Sequence, residues 1–294
     1  MQLLFVGNAV IGKIALRSVT PATVLAVRAP AAAMLFLLLR TLLSRGPGWE
    51  RVEGRDLWKL AGAGLLGVTL NQLLFFEGLQ RSTATNAAVI SATIPVLTAG
   101  LSIALRDERA TARRLLGLAT ALGGAMIVVL FGRSRGALRL ELGLGELLLL
   151  GNATAYSLYL VASRPLFRRY RTETAVTWIF AFGAAALLPL GLRPLLRELP
   201  LAPLGAYASL AYIVLGPSVA AYFLNGYALR RAPPSLVAVY IYLQPAIAAL
   251  VASHWLGEAL TPATLVGALF IGCGIALVAL RRSTSQLATG RPHR

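Results

Sequence analysis

Between Ser91 and Gly124 the chain reads SATIPVLTAGLSIALRDERATARRLLGLATALGG, and between Ile241 and Gly274 it reads IYLQPAIAALVASHWLGEALTPATLVGALFIGCG. In the first stretch Pro95 is followed after 13 residues by Glu108, then by Gly117 and Gly124; in the second, Pro245 is followed after 13 by Glu258, then by Gly267 and Gly274. All four pairs stand 150 residues apart. Further out, Phe75-Phe76-Glu77-Gly78 faces Phe223-Leu224-Asn225-Gly226 at an offset of 148, and Gly7-Asn8-Ala9 faces Gly151-Asn152-Ala153 at 144. An ordered set of matches with a slowly drifting offset marks a duplicated unit. The expected divisions are a first repeat over 1–132, a second over 141–281, and a tail over 282–294.

Hydropathy sets what each repeat contains. Of 294 residues, 57% are hydrophobic and 13% are Asp, Glu, Lys or Arg, against about a quarter charged in soluble domains; the mean hydropathy is +0.72. These values speak against a soluble globular fold. A spanning helix needs roughly 20 mainly apolar residues to cross about 30 Å of hydrocarbon. Ten stretches qualify, near 2–18, 21–43, 57–79, 83–105, 112–131, 142–163, 173–193, 203–229, 235–256 and 261–280. None alternates apolar and polar residues as a barrel strand does, and backbone groups in lipid must be paired internally, so each is expected to be a helix. The expected fold is all-α, a polytopic protein of ten transmembrane helices, five per repeat. The first stretch has no basic segment before it and carries Lys13, which speaks for a retained helix against a cleaved signal peptide.

Net charge is +17, from 28 Lys and Arg against 11 Asp and Glu. In a soluble chain this excess would point to nucleic acid. Here the basic residues cluster between apolar stretches, 19 of the 28 on one side and seven on the other, with Lys13 and Arg28 inside spans. The positive-inside rule then places both termini in the cytoplasm and identifies the bilayer, not nucleic acid, as the partner. The single cysteine, Cys273, excludes an intramolecular disulfide framework.

Five spans per repeat is an odd number, so the second copy enters the bilayer upside down. Inverted repeats recur in secondary transporters, with the substrate near the midplane between halves that rock alternately open. The ten-span layout, the set Pro95, Glu108, Gly117 and Gly124 with its second copy Pro245, Glu258, Gly267 and Gly274, and the opening Gly7-Asn8 to Lys13 stretch resemble the drug/metabolite transporter superfamily, EamA type. The resemblance covers essentially the whole chain. It implies a permease of the cytoplasmic membrane with two EamA repeats, exporting amino acids or related metabolites. It also implies a central cavity enclosed by helices 1 to 4 and 6 to 9, and a few more residues before the first helix than this chain has.

Ionisable groups inside the bilayer are costly and mark a site by default. Lys13, Arg28 and Glu77 each fall within about 10 Å of the outer surface by the helical rise. Either Lys13 or Arg28 receives an anionic group, with Glu77 as a counter-charge able to carry a proton, or Lys13 snorkels outward and Arg28 pairs structurally with Glu77. Uncharged candidates for the substrate site are Asn8, Asn71, Ser91, Asn152, Tyr156, Tyr222, Tyr240 and Gln244; Gln72 and Asn225 belong to the same polar set. Each could instead bond only a neighbouring helix. Pro95 and Pro245 interrupt helices 4 and 9, where discontinuous helices offer polar groups to a ligand. Glu108 and Glu258 are expected to cap the helix that follows each of them. Glu146 and His254 read as interfacial, and the glycines as sites of close helix packing.

Other classes fare worse. The chain has no HExxH, GxSxG or P-loop, and its only histidines are His254 and His293, so neither an enzyme nor a cofactor is expected. A channel would call for a ring or filter of repeated polar residues. Within the transporter class the alternative is an anion or sugar-phosphate exchanger, with Lys13 and Arg28 as phosphate ligands. Without a nucleotide-binding motif, flux has to draw on a gradient, protons included, or on exchange.

Overall fold

The structure is a computed structural model, and the residues it describes are 1–43, 50–131, 143–247, 250 and 262–279. Among them the chain forms ten helical elements and no strand: α1 Gln2–Ala15, α2 Pro21–Leu43, α3 Gly54–Arg81, α4 over 84–104, α5 Ala112–Phe131, α6 Leu144–Arg169, α7 Thr172–Glu198, α8 Leu204–Arg231, α9 Pro234–Ile247 and α10 Pro262–Ala279. They fall in order on the ten apolar stretches. By length and composition, seven are able to cross a membrane, while α1 and α9 are shorter apolar helices. Helix α6 runs on to Arg169 and α7 to Glu198, past the apolar limits expected for them. Basic side chains in their last turns, Arg168 and Arg169 in α6 and Arg197 in α7, suit a helix C-terminus. Leu3, Met34, Leu42, Leu201 and Leu204 face outward, the kind of surface a bilayer covers.

Four helices are interrupted, α3 and α8 in one manner and α4 and α9 each just before a proline. Helix α3 widens into a π-helical turn over Leu65–Leu70, and α8 does the same over Val214–Ala220. In α8 the cause is Pro217, which has no N–H for the Ile213 carbonyl four residues back; the Ser218 hydroxyl donates to that carbonyl instead, at 2.7 Å. Helix α4 breaks between Ala84–Ser91 and Ile94–Ala104, just before Pro95. Helix α9 tightens into a 3₁₀ turn over Tyr240–Tyr242 just before Pro245. Each proline thus follows a local departure from regular α-helix.

Helices α5 and α10 pack through glycines. A Cβ at Gly117 would stand 2.8 Å from the Gly274 carbonyl oxygen, and one at Gly124 2.6 Å from that of Gly267. Numbering rises along one helix as it falls along the other, so the pair runs antiparallel. Helices α2 and α7 pack as closely, with Gly191 against Ala22 and Ala26. Glu198 at the end of α7 accepts from the Thr20 N–H at 2.8 Å and from the Thr23 hydroxyl at 2.6 Å, which closes the start of α2. The main core lies among α2, α3, α6, α7 and α8, around Phe36, Phe76, Tyr159, Phe180 and Tyr222.

Glu108 departs from its expected role. It does not cap α5, whose first turn is held by Thr111 through the Arg114 N–H at 3.3 Å. Arg106, in the left-handed region at φ 59°, turns the chain at the end of α4. The Glu108 carboxylate then meets the N–H and hydroxyl of Ser235, at 3.1 and 2.5 Å, in the first turn of α9. Helix α9 opens on Pro233-Pro234, so Ser235 carries an N–H that no intrahelical carbonyl can take, and the carboxylate satisfies it. Arg114 pairs with Glu108 at 2.8 Å. Glu258 and His254 lie outside the described residues.

Candidate substrate site

A cavity opens where the interrupted helices meet. It encloses about 850 Å³ of empty space, its open mouth included, and is lined from α1, α2, α3, α4, α6, α8 and α9. Of the residues expected at the site, Asn8, Arg28, Asn71, Ser91, Asn152, Tyr156, Tyr222 and Gln244 all line it. Both breaks reach it: Ser91 and Ile94 flank the one in α4, and Ile241, Gln244 and Pro245 come from the one in α9. Among the described residues α7 contributes no lining side chain, although the resemblance implied that it would.

Arg28 is 2% exposed. Its Nε donates to Ser218 Oγ at 2.7 Å, and that hydroxyl donates onward to Ile213. Its guanidinium carbon lies 5.5 Å from the centroid of the Phe76 ring, a cation–π contact. The π-helical turn of α8 thereby fixes the guanidinium by one edge. Among the described residues, no hydrogen bond engages its two η nitrogens.

Amides and phenols form the rest of the polar lining. Asn152 Nδ2 donates to the Asn71 carbonyl at 2.7 Å and Asn71 Nδ2 to the Asn152 carbonyl at 3.5 Å, which ties α6 to α3. The Tyr222 hydroxyl stands 2.5 Å from the Gly67 carbonyl in the π-helical turn of α3 and 3.1 Å from Asn71 Oδ1; its single proton serves one at a time. Asn225 donates to the Tyr156 hydroxyl, and Gln244 Nε2 to Gln2 Oε1 at 2.7 Å. Asn8 Oδ1 is buried without a hydrogen-bond partner, as are both polar atoms of Gln72, whose amide lies beside the Tyr222 hydroxyl. Phe5 packs edge-on against Tyr156 and Tyr222, each at 6.4 Å between centroids, and makes an aromatic wall with Phe75.

Lys13, Glu77 and Tyr240 are not brought to this cavity. Lys13 Nζ lies 3.4 Å from the Gln80 carbonyl, in a separate recess with Arg17, Ser82 and Thr83. Glu77 pairs with Arg81 one turn along α3, so the expected contact between Arg28 and Glu77 is absent. Tyr240 is 39% exposed. Glu146 accepts from Ser82 Oγ at 2.5 Å and from Asn86 Nδ2 at 2.9 Å, joining the start of α6 to α4. In the connection between α6 and α7, Tyr170 donates to Asp56 at 2.8 Å, and burial pushes its phenol above the ordinary value. Among the described residues no group of three or more His, Cys, Asp or Glu is able to hold a metal ion. Sequence reasoning missed the apolar lining, Phe5, Phe75, Ala87 and Ala88, which carries no chemical signal of its own. Gln72, of the same polar set, lines the cavity beside Asn71.

Apolar helices around a largely apolar cavity, with polar side chains, a buried cation and two proline breaks facing one space, are the arrangement of a multi-pass membrane transporter. The family model described as the EamA-like transporter family matches residues 2–130 and 143–280, and the chain belongs to that family. It is 30% identical to a "Probable terminal-alkyne amino-acid exporter" of Streptantibioticus cattleyicolor, over 86% of this chain and 83% of that one. It is 28% identical to an "Uncharacterized transporter" of Archaeoglobus fulgidus, over 96% and 95%. A solved crystal structure superposes with a TM-score of 0.74, covering 95% of this chain and 94% of its own, at 20% identity, a likeness of fold.

Proposed function

We propose that the chain is a secondary transporter that exports a small metabolite, an amino acid or a related compound, across the cytoplasmic membrane by alternating access, with both termini inside. The observation that carries this is the convergence of both proline breaks, one from each repeat, on a single cavity with Arg28 buried in its wall. Similarity to a chain named as an amino-acid exporter supports the substrate class. The helices of 1–132 and of 141–281 form the two halves, and Asn8, Arg28, Asn71, Ser91, Asn152, Tyr156, Tyr222 and Gln244 are the residues we assign to the solute.

Packing supports inversion of the halves. Exchanging the repeats turns Gly117 into Gly267 and Gly124 into Gly274, so the contact of Gly117 with Gly274 maps onto that of Gly267 with Gly124. A two-fold axis relating antiparallel helices is perpendicular to them, and for spanning helices such an axis lies in the membrane plane. Rocking about it opens the cavity to each side in turn.

Counterflow in proteoliposomes, with labelled amino acids and phosphorylated metabolites at symmetric pH, tests the assignment. Exchange of an amino acid is expected, and failure of every amino acid to exchange refutes it. A second reading, an anion or sugar-phosphate exchanger, draws on the same buried Arg28; exchange confined to phosphorylated anions selects it.

A further inference from the structure

Among the described residues that line the cavity, Arg28 alone is charged. It is almost fully buried, and a guanidinium keeps its proton inside proteins. The groups that hold it are neutral, the Ser218 hydroxyl on Nε and the Phe76 ring. No ion pair among the described residues includes it. The carboxylates on the helices packed against α2 are engaged elsewhere. On α3, Asp56 pairs with Lys59 and Arg169, and Glu77 with Arg81. On α7, Glu173 pairs with Arg171, and Glu198 accepts from Thr20 and Thr23.

Taking an ion out of water is costly, and buried charges in proteins are paired or bind an ion. A hydroxyl and a ring face offset part of that cost, but neither bears a net charge. One unit of positive charge, with two η nitrogens that no described residue engages, therefore stands on the wall of a space open to solution. The apolar surroundings screen it poorly, so compensation has to come from within the cavity. With a single cation on the lining, the fitting ligand carries a single negative charge. Phe5, Phe75, Ala87, Ala88 and Ile94 make much of the remaining wall apolar, which favours an anion that sheds its water readily over one that holds it tightly.

We infer that Arg28 holds a small monovalent inorganic anion, chloride in ordinary media, while no solute occupies the cavity, and that the solute displaces it. The binding of the anion stands on the geometry alone. Its displacement rests on the transporter reading above, in which solute and anion take turns beside Arg28 and the buried charge stays compensated between one solute and the next. Lys13 and Arg17, in their separate recess, are not part of this site.

The test is thermal unfolding of the purified full chain in detergent, in sodium chloride and in sodium fluoride at equal ionic strength, fluoride being the anion that holds its water tightly. Chloride is expected to raise the melting temperature by about 3 °C once it stands roughly tenfold above its dissociation constant. Arg28→Gln is expected to melt alike in the two salts. If Arg28 served only to pack against Ser218 and Phe76, Arg28→Gln would lower the melting temperature equally in both salts and the parent would not tell them apart. A second readout needs no variant: at the same saturation, chloride should slow modification of Arg28 by phenylglyoxal about 10-fold, read by mass spectrometry, while the exposed Arg17 reacts alike in both salts. A parent that melts alike in both salts, an Arg28→Gln protein that still tells them apart, or equal modification of Arg28 in the two overturns the inference. Counterflow separates the claims. Chloride-dependent melting without exchange of any amino acid or phosphorylated metabolite refutes transport and leaves the anion site standing, whereas exchange by a parent indifferent to chloride refutes the site and leaves transport standing.

Discussion

Gly123 and Gly124 are neighbours on α5, and opposite outcomes are expected when each is changed to alanine. A Cβ at Gly124 would stand 2.6 Å from the Gly267 carbonyl oxygen, 2.7 Å from the Ile271 nitrogen and 2.8 Å from the Phe270 Cβ, two of them backbone atoms; one at Gly123 meets nothing within 4 Å. Ordinary contact begins near 3.4 Å, so Gly124→Ala has to part α5 and α10 by several tenths of an ångström along their crossing. Gaps of that order forfeit a quarter or more of each dispersion contact they open, and overpacking of a tight interface costs about 1–3 kcal/mol. Gly123→Ala keeps the crossing and gains helix propensity of up to about 1 kcal/mol. Thermal unfolding of the purified protein in detergent is the assay, with Gly124→Ala expected to melt below the parent and Gly123→Ala at or above it. The double change Gly117→Ala with Gly124→Ala should cost less than the sum of the singles, because helices already parted by one methyl accommodate the second. Equal shifts for Gly123→Ala and Gly124→Ala, or strict additivity at Gly117 and Gly124, would refute the glycine-mediated crossing.

Other expectations follow from single contacts. Glu108→Ala leaves the Ser235 N–H and the Arg114 guanidinium without their shared acceptor and should lower thermal stability, read by thermal unfolding, by about 1–2 kcal/mol, the worth of a helix cap. Tyr222→Phe removes the donor to the Gly67 carbonyl and should destabilise by about 1 kcal/mol; Tyr242→Phe, at a buried hydroxyl with no hydrogen bond, should be neutral or stabilising, and the two melting curves compare them directly. Because the folded state holds the Tyr170 proton more tightly than the unfolded chain does, stability should decline as pH rises through and beyond the ordinary tyrosine value of about 10. Tyr170→Phe should flatten that decline in a pH series of unfolding curves.

Local sequence carried the helices because apolar length alone marks a span, and the 150-residue offset carried the correspondence of Pro95 with Pro245. Eight of the proposed site residues share one cavity, since polar side chains in an apolar chain are few and tend to converge away from lipid. The π-helical turns of α3 and α8 left no mark that composition reveals. Their cause in α8, Pro217 with the Ser218 hydroxyl, becomes visible only once the Ile213 carbonyl is traced. Counting depth from the end of a span located Lys13 and Glu77 along the bilayer normal and said nothing of which way each side chain turns; Arg81, one turn from Glu77, decides that pairing locally. By position Glu108 suits a cap for the next helix in the chain, but its partner Ser235 is 127 residues away. Sequence proximity holds no information about a cap supplied from so far along the chain.

Alternating access to the cavity is most directly tested by placing one cysteine at Ser91 in a Cys273→Ser background and measuring its labelling by a membrane-impermeant charged thiol reagent. The reagent is applied to right-side-out and to inside-out vesicles, with and without the exchanged amino acid. Labelling from both sides, slowed from each by the amino acid, is the result expected of a cavity that opens alternately. Labelling from one side alone, at a rate the amino acid does not alter, would contradict it.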